Sequence, residues 1–263
     1  MKTTLTARQQ RECDFYEEYA KRSAPDEVPL DAALGTETRP WNAYWFVCEL
    51  VKARSVAGDQ KLLDFGCGHG YYSVLFAKMG YEVYGVDIAP QNIAHANRLA
   101  EKYGLAARMH FSEGMAEQLD YRAEYFDIVV GIDILHHVEI DPAVRECLRT
   151  LKPGGVAVFK EPVEAPVFDA LRNSRFGRWL APKSASYERH ITEDERKLTS
   201  DDIRAIRRLC PDLSIRQFRV ISRLSRFVNN TTALAKADDR LIRLLPFLRR
   251  FAGTVVLTLT KAQ

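Results

Sequence analysis

The sequence predicts an α/β protein built on a doubly wound, mostly parallel sheet of seven strands. Two features carry this prediction: strand-like apolar runs alternate with helix-like segments between residues 61 and 160, and FDIVVGI at 126–132 is continuously apolar, as in strands buried on both faces. Strands joined through helices need crossover connections, which leave the strands parallel and covered by helices on both sides.

The first five strands and the helices between them follow in chain order. We predict strands at 61–65, 82–87, 107–111, 126–132 and 156–160, with helices at 71–79, 90–103 and 142–151. Pro90 suits the first turn of the second of these helices, and Gly104 suits its end. Asp141 is expected to cap the third helix, and the turn LKPGG is expected to end it.

The flanking parts supply the remaining elements. We predict an apolar helix at 42–54 that packs on the sheet, a helix at 201–210, and alternating strands at 214–220 and 253–261. In 237–253 the apolar residues fit one helical face with the arginines displaced from it, and we expect core packing there rather than membrane contact. The apolar residues are Leu241, Leu244, Leu245, Leu248 and Phe251, and the arginines are Arg240, Arg243 and Arg250.

A glycine-rich turn follows the first strand, in the stretch KLLDFGCGHG at 61–70. Its three glycines let the backbone turn sharply and approach a ligand without a Cβ in the way. Asp87 ends the next strand, where a carboxylate can accept hydrogen bonds from both hydroxyls of a ribose. Tyr71 stands where a dinucleotide fingerprint needs its third glycine, and no Gly-Lys-Ser/Thr of a phosphate loop follows. The pattern therefore indicates a nucleoside-containing cofactor of another kind.

The motif Asp-x-Gly-x-Gly-x-Gly at a strand end, with an acidic residue ending the next strand, resembles the first two motifs of class I S-adenosylmethionine-dependent methyltransferases. FSEGMAEQLDYRAEYFDIVVGIDILHHV at 111–138, followed by LRTLKPGG, is similar to the later motifs of the small-molecule type. The resemblance covers about residues 60–162. It implies the Rossmann-like fold of this class, an N-terminal helical lid, an insertion after the fifth strand, and S-adenosyl-L-methionine as cofactor.

The resemblance also implies which residues contact the cofactor. Met115 departs from the family pattern, because many relatives have an aspartate there that binds the adenine amino group; the backbone of Ala116 or nearby Glu113 is then the expected replacement. Cys67, between two glycines, is expected to be a small packing residue without chemistry. The implied cofactor-binding residues are Asp64, Gly66, Cys67, Gly68, Gly70, Asp87, Ile88, Met115, Ala116 and Asp133.

Methyl transfer to a hydroxyl group needs a proton acceptor, for which histidine is suited near neutral pH. His136 and His137 follow the fourth strand and Glu161 ends the fifth, so these three are the catalytic candidates, with His137 preferred as the base. Tyr16, Tyr19 and Trp41 in the N-terminal lid are candidates for lining the pocket. No metal site is expected.

The charge distribution bears on the acceptor. Residues 1–162 carry 18 Lys/Arg against 24 Asp/Glu, net −6, whereas residues 163–263 carry 20 against 11, net +9. An excess of arginine suits an anionic acceptor, a membrane surface or nucleic acid, although solvated helix faces explain many such runs. We expect a small organic acceptor, anionic or lipid-linked, with O-methylation favoured. A non-catalytic cofactor-binding subunit or sensor and an RNA methyltransferase are the alternatives.

We expect one methyltransferase domain over residues 1–263. Its parts are a lid and packing helix at 1–58, a cofactor-binding core at 59–162, a substrate-cap insertion at 163–200, and C-terminal strands and helices at 201–263. The polar start, the lack of a run of about 20 apolar residues, and five scattered cysteines without a C-x-x-C pair predict a cytoplasmic protein with reduced thiols.

Overall fold

The computed structural model describes residues 5–23, 27–30, 35, 38–56, 59–165, 196–222 and 230–263. The predicted substrate cap at 163–200, with its aromatic residues and arginines, falls mostly on 166–195 and so lies outside the described residues. Parts of the N-terminal lid segment lie outside them as well.

The described residues form a mixed seven-stranded sheet in the order β3-β2-β1-β4-β5-β7-β6. Strands β1 to β5 are parallel, and β7 runs antiparallel to both β5 and β6. The predicted mostly parallel sheet is confirmed. The strands are β1 Lys61–Phe65, β2 Glu82–Asp87, β3 Met109–Glu113, β4 Phe126–Ile132, β5 Leu151–Pro162, β6 Leu213–Phe218 and β7 Thr254–Thr260.

The helices cover both faces of this sheet. They are α1 Ala7–Ser23, α2 Ala43–Lys52, α3 Tyr71–Lys78, α4 Pro90–Lys102, α5 Ile140–Thr150, α6 Ser200–Leu209 and α7 Thr231–Leu244, with 3₁₀ turns at Leu135–His137 and Pro246–Phe251. Among the helices of the described residues, none is long and apolar enough to cross a bilayer.

Alternation along the strands divides the core into two layers. In β1, Leu63 packs with α5 and α6 on one face, while Leu62 packs with α2, α3 and α4 on the other. Val129 and Val130 of β4 divide in the same way, because successive side chains of a strand point to opposite faces. Cysteines in both layers are free and buried, as expected for a reduced protein.

Several predicted boundaries are wrong. Asp141 does not cap α5: the cap is Glu139, and Asp141 lies in the first turn, where its carboxylate favours the positive helix end and pairs with Arg145. The LKPGG turn does not separate α5 from β5. It belongs to the start of β5, which pairs irregularly with β4 between Phe126 and Ile128.

The predicted single helical face in 237–253 is also wrong. Helix α7 ends at Leu244 and Pro246 starts a 3₁₀ turn, since proline has no N–H to donate and disfavours helical backbone at the residue before it. Leu244 is 78% exposed and Leu245 is 41% exposed, so neither packs in the core. Ile242 packs instead with Val220 and Ala252 in a small separate cluster.

Asp238 anchors this part of the chain. Its carboxylate, 3% exposed, accepts hydrogen bonds from the backbone N–H groups of Val220 and Ile221 and from the Ser222 hydroxyl. These bonds attach α7 to the segment that follows β6. Such bonds to a buried charge are among the stronger ones in proteins.

Replacing Asp238 with Ala should lower the free energy of unfolding by roughly 2–4 kcal/mol, because buried N–H donors lose a charged acceptor. The neighbouring Asp239→Ala is the matched control. Asp239 makes partly exposed ion pairs with Arg216 and Arg243, so its loss should cost about 1 kcal/mol or less. Urea denaturation measures both values, and equal losses would contradict the anchoring role of Asp238.

Candidate active site

A cleft of about 450 Å³ lies at the carboxyl ends of β1, β2 and β4, where the strand order reverses. Its volume lies within the range of small-molecule sites. The cleft brings together most of the predicted site residues and does not include Gly70, His136 or Glu161. Those that line it are Asp64, Gly66, Cys67, Gly68, Asp87, Ile88, Met115, Ala116, Asp133 and His137.

The three glycines after β1 have different roles. All three have positive φ, which favours glycine. A Cβ on Gly66 would lie 2.6 Å from Ile134 Cδ1, and one on Gly70 would lie 2.8 Å from Ala96 Cβ, so both glycines allow close packing. A Cβ on Gly68 would meet no atom within 4 Å, although Gly68 lines the cleft. Gly68 therefore leaves open space on the ligand side.

Asp87 organises the glycine turn. Its Oδ2 accepts a hydrogen bond from the Gly68 N–H at 2.9 Å, and its Oδ1 accepts from the Ala89 N–H and the Asn92 amide. Burial raises the pKa of the carboxyl group, and the three donors oppose that rise. A carboxylate has about four acceptor positions, so capacity remains for a ligand hydroxyl.

Asp64 lies behind the turn and is 3% exposed. The Ser73 hydroxyl donates to its Oδ2 at 2.5 Å. Burial raises the pKa of Asp64 to about 7, the Ser73 bond opposes the rise, and the charge of Asp87 adds to it. The carboxyl group thus titrates near neutral pH.

This pKa predicts a pH-dependent stability. Because the pKa of Asp64 is higher in the folded chain than in the unfolded chain, Asp64 stabilises the fold below about pH 4 and loses that contribution as the pH rises through about 7. The variant Asp64→Asn does not titrate. Its free energy of unfolding relative to the parent chain should therefore increase between about pH 5 and about pH 8, as measured by denaturation without ligand; a constant difference would contradict the shift.

Ile88, Met115 and Ala116 also line the cleft. Glu113, one of the two expected replacements for the missing aspartate, does not line the cleft, whereas Ala116 does. Cys67 is buried, and burial raises the pKa of its thiol well above the ordinary value. Its thiol is therefore protonated, which agrees with the expectation that it has no chemistry.

His137 meets two side chains of α1 in the cleft. Its Nε2 lies 2.9 Å from the Tyr16 hydroxyl, and its Nδ1 lies 3.2 Å from the Glu12 carboxylate. The Glu12 contact is close enough for charge pairing, although it is not aligned as a hydrogen bond. The side chains of His137 and Glu12 are both under 10% exposed. The Glu12 charge favours a proton on Nδ1, which leaves Nε2 as the acceptor toward Tyr16.

His136 and Glu161 lie behind the cleft as a buried pair. His136 Nδ1 is 2.6 Å from one Glu161 oxygen, and the other oxygen accepts from the N–H groups of Ile134 and Leu135. Glu161 is 0% exposed and His136 is 5% exposed. This pair thereby holds in position the 3₁₀ turn that carries His137.

Asp133 reaches the cleft from the end of β4 with a φ of 57°, in the left-handed region. Its two carboxylate oxygens accept from the buried Lys160 ammonium at 2.6 and 2.7 Å, and the Tyr44 hydroxyl donates to it at 2.9 Å. Burial disfavours the charged form of Lys160, but Asp133 and Tyr44 outweigh burial and raise the Lys160 pKa. The spacing of Asp133, His136 and Glu161 would suit a cation, yet Lys160 already neutralises Asp133.

Sequence reasoning missed several side chains of the cleft. Glu12 lies in a polar helix, where its sequence context does not distinguish it from solvent-exposed residues. It shares a helical face with Tyr16 and Tyr19, which line the cleft as expected. Tyr44 and Tyr72, stacked at 6.2 Å, also line it. Trp41 does not: its ring lies under the ammonium of Lys236.

Comparison with known proteins shows what the core of the chain is similar to. The methyltransferase domain family matches residues 63–159. A ubiquinone biosynthesis O-methyltransferase from Cereibacter sphaeroides is 36% identical over 140 residues, which are 51% of this chain and 56% of that protein. One from Sinorhizobium medicae is 30% identical over 148 residues, or 55% of this chain and 59% of that protein. The chain thus spans little more than half the length of these relatives.

Solved structures share the fold at low sequence identity. A geranyl diphosphate C-methyltransferase from Streptomyces coelicolor, in complex with S-adenosyl-L-homocysteine, aligns with a TM-score of 0.62 at 15% identity, covering 99% of this chain and 100% of that one. The [4+2]-cyclase SpnF aligns with a TM-score of 0.58 at 21% identity, covering 99% and 97%. Because the second is described as a cyclase, this fold alone does not specify methyl transfer.

Proposed function

We propose that this chain, whose residues 63–159 match the methyltransferase domain family, is an S-adenosylmethionine-dependent enzyme that methylates a hydroxyl group of a small, lipid-linked acceptor. The observation that carries the proposal is the contact between Tyr16 and His137 in the same cleft as the open side of Gly68. A proton acceptor and the glycine turn that would contact the cofactor therefore line the same cavity.

The cleft residues fit S-adenosylmethionine. Any residue other than glycine at position 68 would place a Cβ in the open space beside the turn. The Asp87 carboxylate at the end of β2 can still accept hydrogen bonds from ribose hydroxyls. Ile88, Met115 and Ala116 line the cleft as well and would contact the adenine. When bound, this cofactor supplies an electrophilic methyl carbon attached to a sulfonium leaving group.

The chain's own contribution is to position the acceptor and remove its proton. In the proposed relay the acceptor hydroxyl donates its proton to the Tyr16 oxygen as the Tyr16 hydroxyl donates to His137 Nε2. The nearby Glu12 carboxylate stabilises the imidazolium that results. His136 and Glu161 hold the 3₁₀ turn on which His137 lies and are positioning residues.

The walls of the cleft suit a phenolic acceptor. Five tyrosines line it, and flat aromatic side chains bind planar rings by stacking and edge contacts. The matched relatives are named as O-methyltransferases of ubiquinone biosynthesis, which supports oxygen as the atom methylated and a lipid-linked acceptor. The tyrosines are Tyr16, Tyr19, Tyr44, Tyr71 and Tyr72.

Transfer of labelled methyl groups from S-adenosylmethionine tests the proposal directly. The purified chain is incubated with catechol and with an alkylated catechol, and the methyl ethers are separated by chromatography. We expect methylation of the hydroxyl group, faster with the alkylated compound. A chain that binds S-adenosylmethionine but methylates neither phenol would refute the proposed acceptor and favour the non-catalytic alternative.

Replacing Asp87 with Ala should weaken the binding of S-adenosylhomocysteine by roughly 1.5–3 kcal/mol, because hydrogen bonds to a charged acceptor are lost. Calorimetry measures the change. Asp127→Ala is the matched control, since this strand carboxylate pairs with Lys152 and does not line the cleft. Unchanged affinity in Asp87→Ala would remove Asp87 from the cofactor site.

A further inference from the structure

The stretch 240–251 exposes apolar and basic side chains together. Leu244, Leu245 and Phe247 are 78%, 41% and 57% exposed. Among the described residues, the other exposed large apolar side chains are those of Tyr44 and Val56. Four arginines, all exposed, lie in the same stretch, and no aspartate or glutamate occurs from residue 240 to the end of the sequence. The arginines are Arg240, Arg243, Arg249 and Arg250.

We propose that this stretch is a membrane-surface contact that binds a bilayer of anionic phospholipids. Exposed leucine and phenylalanine gain free energy by entering the boundary between head groups and acyl chains, while arginines remain at the level of the phosphates. The short 3₁₀ turn after α7 can lie along a surface, in contrast to a helix that spans it. Arg243 also pairs with Asp239, so Arg240, Arg249 and Arg250 carry most of the charge argument.

The position of the stretch supports a lipid partner. Strand β7 runs antiparallel to β5, so its first residue Thr254 pairs with Pro162 at the carboxyl end of β5. The stretch therefore enters the sheet at the edge that carries the cleft, next to Glu161. Asp238 and the small cluster around Ile242 attach it to the fold. Binding of the stretch to a bilayer would bring the cleft edge toward the membrane in which a lipid-linked acceptor is dissolved. This benefit for catalysis rests on the proposed function, whereas the binding itself does not.

A second copy of the chain is the competing occupant. A twofold contact would bury the basic stretch of one copy against the same basic stretch of the other, and residues 240–251 contain no acidic side chain to pair with the arginines. Like charges brought together at an interface disfavour association, whereas anionic head groups attract the same arginines. Charge complementarity therefore favours the bilayer.

Co-sedimentation with vesicles tests the inference. The full chain is mixed with phosphatidylcholine vesicles with and without phosphatidylglycerol, and bound protein is measured after centrifugation. We expect binding to the anionic vesicles that decreases as salt is raised. The double variant Leu244→Ser/Phe247→Ser should reduce the partition coefficient by roughly tenfold or more, and each of Arg240→Gln, Arg249→Gln and Arg250→Gln by about fivefold.

Val56→Ser is the matched control. Val56 is 64% exposed and precedes β1, so it lies at the edge of the sheet opposite the cleft, and its variant should bind vesicles like the parent chain. Calorimetry with S-adenosylhomocysteine, together with the denaturation midpoint, verifies that the double variant remains folded.

Two results would overturn the inference. The first is a parent chain that does not sediment with anionic vesicles, or a folded double variant that sediments equally well. The second is a dimer, seen by light scattering, that the double variant abolishes without any vesicle binding; the stretch would then be a subunit interface. Vesicle binding requires no methyl transfer, so a chain that binds vesicles but methylates no phenol would refute the proposed function and leave this inference standing.

Discussion

Replacing His137 with Gln should lower kcat for O-methylation by about 10²- to 10⁴-fold while leaving the affinity for S-adenosylmethionine nearly unchanged. Glutamine keeps a polar side chain of similar length but cannot take up the proton that Tyr16 passes on. Tyr16 and Glu12 both approach this imidazole, which places it to receive that proton. Steady-state rates and calorimetry separate the loss of catalysis from a loss of binding.

The partners of His137 sharpen this test. Tyr16→Phe should also lower kcat, and Glu12→Gln should lower it less, because the imidazolium formed in the reaction loses its nearby negative charge. His110→Gln is the matched control: His110 lies on β3, pairs with Glu82 and does not line the cleft. Full activity in His137→Gln would show that the acceptor loses its proton without a base.

Replacing Gly68 with Val should abolish measurable cofactor binding while most of the fold persists. Gly68 has a φ of 51°, and its missing Cβ faces open space in the cleft, so a branched side chain would fill room that the cofactor needs. The strain of a side chain in the left-handed region costs about 1–3 kcal/mol of stability. Calorimetry with S-adenosylhomocysteine measures the binding, and circular dichroism follows the fold.

Gly154→Val separates the strain from the blocked space. Gly154 has a similar φ of 72° and open space around its missing Cβ, but it is exposed near the start of β5 and outside the cleft. We expect this variant to lose a comparable amount of stability and to bind the cofactor normally. If Gly68→Val bound as tightly as Gly154→Val, the turn would not approach the cofactor.

The alternating core of the protein was predictable because its signals are local. Strands β1, β2 and β4 have the predicted bounds, since each is a largely apolar run that a turn or a polar residue ends. The glycine turn and Asp87 follow from the same local pattern, and the order of strands and helices implies that their ends meet in one cleft. The match of residues 63–159 to the methyltransferase domain family agrees with that prediction. The catalytic and cofactor-binding roles of individual residues stay predictions.

The details of the site depend on contacts between distant parts of the chain. Tyr16 and His137 are 121 positions apart, and no periodicity in a polar helix indicates that its Glu12 and Tyr16 will meet a particular histidine. Of two adjacent histidines, the 3₁₀ turn directs His137 into the cleft and His136 onto the buried Glu161.

The same division holds at the C-terminal end. The helical period of 237–253 indicates a buried face, but Pro246 ends the helix and turns Leu244 and Phe247 outward. Local sequence therefore specifies strands, turns and the cofactor side of the cleft, because hydrogen bonding and burial along one segment suffice to form them. Which side chains meet the acceptor, and which apolar ones stay exposed, follows from how α1 and the segment after β6 pack on the sheet.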